Sequence, residues 1–125
     1  MTEFNIAKAW IKSITPNNVD FWNSRKAELV VIRNCIAFIL RDETTLSYIK
    51  IGILMGKNHA TIIAAVNRHY SRVNSNLKID ADYRTTYNKL LKDFRKFKTP
   101  QNDILIHRGN NWEINRKVIN QIVIN

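Results

Sequence analysis

Two apolar runs meet at a glycine in residues 51–73, IGILMGKNHATIIAAVNRHYSRV, and no other stretch of the chain constrains its fold as tightly. Gly56 ends the first run, because a residue without a Cβ enters the left-handed conformation that closes a helix. Asn58 is suited to cap the second run, expected over about 59–74. Ile62, Ile63, Val66 and Tyr70 are its expected inward face. Helix, tight glycine turn and helix make a helix-turn-helix. Gly52 is expected to allow close packing inside the first helix of the pair. The polar residues of the turn, Lys57, Asn58, His59 and Thr61, are then a plain helix cap, a chemical site, or the end of a helix that reads DNA.

Periodicity gives the rest. Residues 3–14 place Phe4, Ile6, Trp10, Ile11 and Ile14 at helical spacing, before a breaker at Thr15-Pro16-Asn17-Asn18. Val19, Phe21 and Trp22 read as anchors on the core, and Asn23 to Lys26 as a polar, basic link. Residues 27–41 carry Leu29, Ile32, Ile36, Ile39 and Leu40 on one side. Strand is the rival reading there, but the length and the Arg33-Asn34 interruption favour a buried helix whose polar residues reach an exposed flank. Cys35 reads as a packed small hydrophobe. Thr44 or Thr45 is the expected cap of the next helix, with Leu46, Ile49, Ile51 and Leu54 as its apolar residues. Residues 75–82 read as a linker anchored by Leu77 and Ile79. Asp82 is the expected cap of a last helix with Tyr83, Tyr87, Leu90, Leu91, Phe94 and Phe97 on one face, ended by Pro100. Together these predict an all-α fold, a compact helix-turn-helix bundle of about five helices. It spans residues 1–100, and residues 101–125 form an extension. In the extension, 104–107 is a short strand or extended segment, and the Ile- and Val-rich end is a further helix or a β segment. That segment is also the candidate for a protein partner or for self-association, with Ile114, Val118, Ile119 and Ile122 as its apolar side.

Charge narrows the function. Twenty Lys and Arg stand against ten Asp and Glu, a net charge of +10. Residues 41–100 hold twelve of the bases and five of the acids, so the excess surrounds and follows the turn. Such a bias fits a polyanionic partner, since each phosphate contact releases condensed counterions. A cofactor or enzymatic site is not expected. The three histidines, His59, His69 and His107, have no metal-ligand spacing, and one cysteine excludes both an internal disulfide and a cysteine zinc cluster. There is no HExxH and no phosphate-gripping glycine loop. Asp80 and Asp82 read as linker or cap residues, and Cys35 or Ser47 with His59 fits no triad pattern. No stretch approaches eighteen uncharged apolar residues and the N-terminus lacks a signal pattern, so a cytoplasmic protein with no membrane partner is expected.

At the turn, Asn58 suits adenine or the cap, and His59 suits guanine, phosphate or plain solvent. Ala60 and the Thr61 methyl suit a thymine methyl, and Lys57 suits a phosphate. Ala65, Arg68 and Arg72 follow along the same helix. RNA binding is a weaker reading, because Tyr48, Tyr70 and Tyr83 read as partly packed rather than as stacking platforms.

Residues 33–68 resemble the C-terminal DNA-binding domain of the bacterial chromosomal replication initiator DnaA, whose helix-turn-helix is compared with that of the Trp repressor. The resemblance is carried by Arg33-Asn34, by Ser47-Tyr-Ile-Lys-Ile-Gly52 and by Met55-Gly-Lys-Asn-His-Ala-Thr61, at the family's spacing apart from one residue missing in the turn. Weaker similarity extends back to Val19-Asp-Phe-Trp and forward through 84–97. It implies double-stranded DNA as partner, without the ATPase domain. Asn58, His59, Ala60, Thr61 and Ala65 would read the major groove, and Arg25 the minor groove. Arg33, Asn34, Arg41, Lys57 and Arg68 would contact phosphates or the groove edge, and Arg72, from its spacing on the same helix, is a further phosphate candidate. Lys57 replaces the family's arginine, Asn58 its aspartate and Ala60 its first threonine. The architecture suggests a phage, plasmid or mobile-element protein acting in replication or transcription control. The alternative is a structural or protein-interaction role, for example virion-associated, with non-specific DNA binding.

Overall fold

A computed structural model of the chain describes residues 2–15, 21–75 and 77–99, apart from the side chain of Ile79. The expectations for residues 16–19, for Pro100 and for 101–125 lie outside the described residues. Among the described residues there are five α-helices: α1 (Glu3–Ile14), α2 (Ala27–Glu43), α3 (Tyr48–Met55), α4 (His59–Val73) and α5 (Ala81–Lys98), with a 3-10 turn (Lys78–Asp80) before α5. The all-α bundle is as expected, and no strand occurs among the described residues.

The centre of the bundle is α2. Every residue from Asn34 to Leu40 is buried, because α4 and α5 pack against it and α3 follows its C-terminal end. A helix apolar nearly all round has to lie inside, and here it does. Asn34 is the correction within it: at 3% exposure its amide is buried and does not reach an exposed flank. Arg33, one residue earlier, stays partly exposed and donates from Nη1 to the Phe21 carbonyl at 2.6 Å. That bond ties the segment before α2 to the helix, beside the buried Phe21 ring.

The outer helices are held by a few specific contacts. Trp10 of α1 is fully buried, stacks at a tilt on Phe94 of α5 with centroids 4.8 Å apart, and donates its indole N–H to Asp93 at 2.9 Å. Glu3 accepts from the backbone N–H of Thr45 at 3.1 Å and from its hydroxyl, so α1 grips the link between α2 and α3. Glu43 at the end of α2 receives Arg95 of α5 at 2.7 Å.

Three elements differ from the sequence reading. The cap of α3 is Ser47, which accepts from Lys50 N–H, and not Thr44 or Thr45. Thr44 instead bonds back to the Leu40 carbonyl and Thr45 is held by Glu3, so both hydroxyls are already engaged. In α4, Ile63 and Tyr70 are 37% and 50% exposed rather than inward. The buried stripe is Ile62, Ala65, Val66 and His69, and each of the two misplaced residues sits one position, about 100°, past a stripe member. Before α5, Leu77 is 64% exposed and does not anchor the linker, and the position preceding the helix is occupied by Asp80 rather than Asp82. Asp80 is held there by Arg72, at 3.1 Å.

His69 therefore enters the core. Its ring stacks on Phe38 at 4.1 Å and meets Tyr87 edge-on, and Nδ1 shares a 2.8 Å hydrogen bond with the Tyr83 hydroxyl. Its Nε2 has no hydrogen-bond partner. Burial pushes this imidazole down to about 4, and pushes the neighbouring Cys35 thiol up to about 12, so both are neutral near pH 7. Below pH 6.5 the unfolded chain accepts a proton that the folded core refuses. Stability is then lost as pH falls from 6.5 towards 4, by roughly 3 kcal/mol in all. Asp93, raised by burial, works in the opposite sense. Chemical denaturation of the parent and of His69→Phe across that range isolates the imidazole: the parent should lose stability more steeply than the variant, and parallel profiles would refute the assignment.

Candidate nucleic-acid interface

The turn between α3 and α4 is built by two glycines with different tasks. Gly56 takes the left-handed conformation, φ 67°, in which its own N–H reaches the Ile53 carbonyl at 3.4 Å and the Lys57 N–H reaches the Gly52 carbonyl at 2.8 Å. These two bonds are the Schellman closure of a helix. Gly52 has no room for a side chain, since a Cβ there would lie 2.4 Å from the Lys57 carbonyl oxygen. The turn backbone thus lies directly on α3, as the sequence suggested for this glycine. Asn58 then starts α4, its Oδ1 accepting from the Thr61 N–H at 2.8 Å. The two helices bend by 97° across the break, within the usual range for a helix-turn-helix.

This geometry presents Asn58, His59, Ala60 and Thr61 together as an exposed group on the first turn of α4. Beside it is a cleft of about 260 Å³ between the segment before α2, α2 itself and α4. Arg25, Arg33, Asn34, Lys57, Thr61, Ala65 and Arg68 line it, so seven residues singled out from the sequence converge on one concavity. Four of them are cations and none of the lining residues is a carboxylate. A slightly larger cleft, about 300 Å³ and lined by Lys8, Ile11, Lys12, Thr15, Trp22 and Leu54, contains none of the residues expected to act.

The remaining candidates are placed elsewhere or are less available. Arg41 donates to the Leu46 carbonyl at 3.1 Å and lies over the Tyr48 ring, at the start of α3. Arg72 is paired with Asp80 and lies over Tyr83 at 4.5 Å, so its charge is already matched on the far half of α4. Asn34 is buried and Ala65 is 5% exposed, which stands against direct phosphate or base contact by either in this conformation. Both instead form the floor of the cleft.

Trp22, Asn23 and Ser24, read from the sequence only as an anchor and as part of a polar link, also line the cleft. Asn23 accepts a hydrogen bond from Lys57 Nζ at 2.9 Å, across 34 positions of sequence. No local pattern marks such a pair. Among the described residues there is no group of three side chains that could hold a metal ion. No single described helix is long and apolar enough to cross a membrane.

The fold and site therefore define a helix-turn-helix bundle with a cation-lined cleft against its second helix. Among curated proteins, the chain is similar to the chromosomal replication initiator protein DnaA of Borrelia duttonii, at 35% identity over 91 residues, covering 71% of this chain and 19% of that protein. The Borrelia turicatae protein of the same name is 33% identical over 91 residues, again 71% of this chain and 19% of that protein. That of Mycoplasma pneumoniae is 42% identical over 45 residues, 36% of this chain and 10% of that protein. The similarity is a homology to the C-terminal domain of DnaA. The chain spans about a fifth of the length of the curated Borrelia relatives it matches. No family model matches the chain, and no solved structure matches it significantly.

A Gly52→Ala substitution should force the turn backbone away from α3 and destabilise the fold by about 1–3 kcal/mol, the usual cost of overpacking a tight contact. Gly56→Ala meets no neighbour but must hold a positive φ, at about 1–2 kcal/mol. Urea denaturation measures both, and a Gly52→Ala protein as stable as the parent would contradict the close approach.

Proposed function

We propose that the chain is a sequence-selective double-stranded DNA-binding protein acting in replication or transcription control. The observation that carries this reading is the exposed Asn58–Thr61 turn beside the cation-lined cleft that includes Arg25. Homology to the C-terminal domain of a chromosomal replication initiator protein supports it. In this reading α4 enters the major groove by its N-terminal turn, as the second helix of such a motif does. Arg25, exposed on the far side of the cleft, reaches the adjacent minor groove. The backbone between the two grooves then passes the cleft, where Arg33, Lys57 and Arg68 take its phosphates, while Arg41 holds a phosphate near α3.

Asn58 can cap and read at once. Its Oδ1 has two acceptor sites, one used by the Thr61 N–H, and its amide NH₂ keeps two donors. That combination can pair with the N6 and N7 edge of adenine. His59 supplies a further donor, and Ala60 with the Thr61 methyl supplies apolar contact for a thymine.

Selection from a random duplex pool by the full chain, at two salt concentrations, tests this reading. It should enrich one motif, and log Kd should vary with log salt by a slope of about 4 for four phosphate contacts. Replacing Asn58, His59 and Thr61 together by alanine should abolish the sequence preference and leave weak salt-sensitive binding. Absence of both enrichment and salt-sensitive binding in the parent would refute the proposal. Binding that is salt-sensitive but blind to sequence in the parent would favour a non-specific, structural role.

A further inference from the structure

Resting on that reading, we infer that Asn23 is a positioning residue for DNA recognition, acting through Lys57. The Lys57 ammonium has three donors on a flexible four-carbon stem. One donor is spent on Asn23 Oδ1 at 2.9 Å, which leaves two for an anion in the cleft. The bond joins two parts of the surface that no helix connects directly. Asn23 lies in the segment before α2, two residues from Arg25, and Lys57 lies in the turn, one residue from Asn58. The same segment is tied to α2 by the 2.6 Å bond from Arg33 to the Phe21 carbonyl.

Beyond the buried Phe21 ring, the segment therefore has a polar fixing on α2 and another on the turn. Together they set how far Arg25 sits from the first turn of α4. A duplex presents its grooves at a fixed offset, so a protein that reads two grooves has to hold that offset itself. The Asn23–Lys57 bond also orders a rotamer-rich side chain before any ligand arrives, which removes an ordering cost from binding.

Asn23 carries no charge and is exposed, so its removal should leave folding intact. The test is a double-mutant cycle on the full chain, using the duplex enriched by the parent protein. Asn23→Ala should weaken binding about three- to tenfold in the parent, the range expected from one lost ordering contact. The same change in a Lys57→Ala background should weaken it less than about twofold, because the bond is already gone. Thermal unfolding midpoints of parent and Asn23→Ala should agree. Asn23→Asp retains the acceptor and adds a charge that opposes that of Lys57, so it should lower the salt slope by about one. Unchanged affinity in Asn23→Ala, or an equal loss in both backgrounds, would overturn the inference while leaving duplex binding by the parent in place. A parent that binds no duplex in a salt-sensitive way would overturn both.

Discussion

Much of this structure depends on the approach of one carbonyl to one α-carbon. The Lys57 oxygen lies where a Gly52 side chain would begin, and the Lys57 N–H is bonded to the Gly52 carbonyl. The end of α3 and the start of α4 are thus joined through backbone atoms on both sides of the turn. The 97° bend then needs no side chain of the turn to hold it. Asn58 contributes a side-chain bond local to α4, and Lys57 one that reaches the segment before α2 rather than the other helix of the pair. The turn is consequently free to carry surface chemistry, which is why Lys57, His59, Ala60 and Thr61 can point outward without cost to the fold.

The second constraint is α2. Its burial from Asn34 to Leu40 makes it the common wall of α4 and α5, and its partly exposed Arg33 and Val30 reach the cleft from beneath. The cleft is thus a seam between the bundle core and the segment before α2. One wall is α4, one is α2 and the third is a short stretch without helix. Two hydrogen bonds, to Phe21 and to Asn23, hold the third wall. Beyond the buried Phe21 ring, its position depends on individual polar contacts, whereas the positions of α2 and α4 depend on extensive buried apolar area.

That difference explains how much could be read from the chain. Positions governed by backbone conformation or by apolar periodicity were legible: Gly56, the Asn58 cap, Gly52, and the buried sides of α2 and α5. In α4, Ile62 and Val66 were legible, but Ile63 and Tyr70 were read in place of Ala65 and His69, because hydrophobicity prefers them to a small residue and a histidine. The core accepts His69 since a neutral ring can stack on Phe38 and share a hydrogen bond with Tyr83. The start of α3 was missed because Thr44, Thr45 and Ser47 can all cap, and the choice was made by Glu3, 42 residues from Thr45. Within the candidate site, residue types signalled Arg25, Arg33, Lys57 and Arg68. Their convergence on one cleft, and the part played by Asn23, are tertiary facts with no local signal.

The departures from the DnaA pattern at Asn58 and Ala60 can now be weighed against the fold. Asparagine and aspartate are about equally good N-caps, because either offers an oxygen to the N–H three residues on. The bond from Thr61 to Asn58 is of that kind, so the turn does not distinguish the two residues. Ala60 is exposed and occupies the second position of α4, where alanine costs the helix nothing. Neither change therefore disturbs the geometry that presents the first turn of α4. What they alter is the set of donors and acceptors displayed there: a carboxylate can only accept, whereas an amide also donates. In the proposed reading, the scaffold is shared with the replication initiators while the preferred base at this position moves from one that donates, such as cytosine, to one that both donates and accepts, such as adenine.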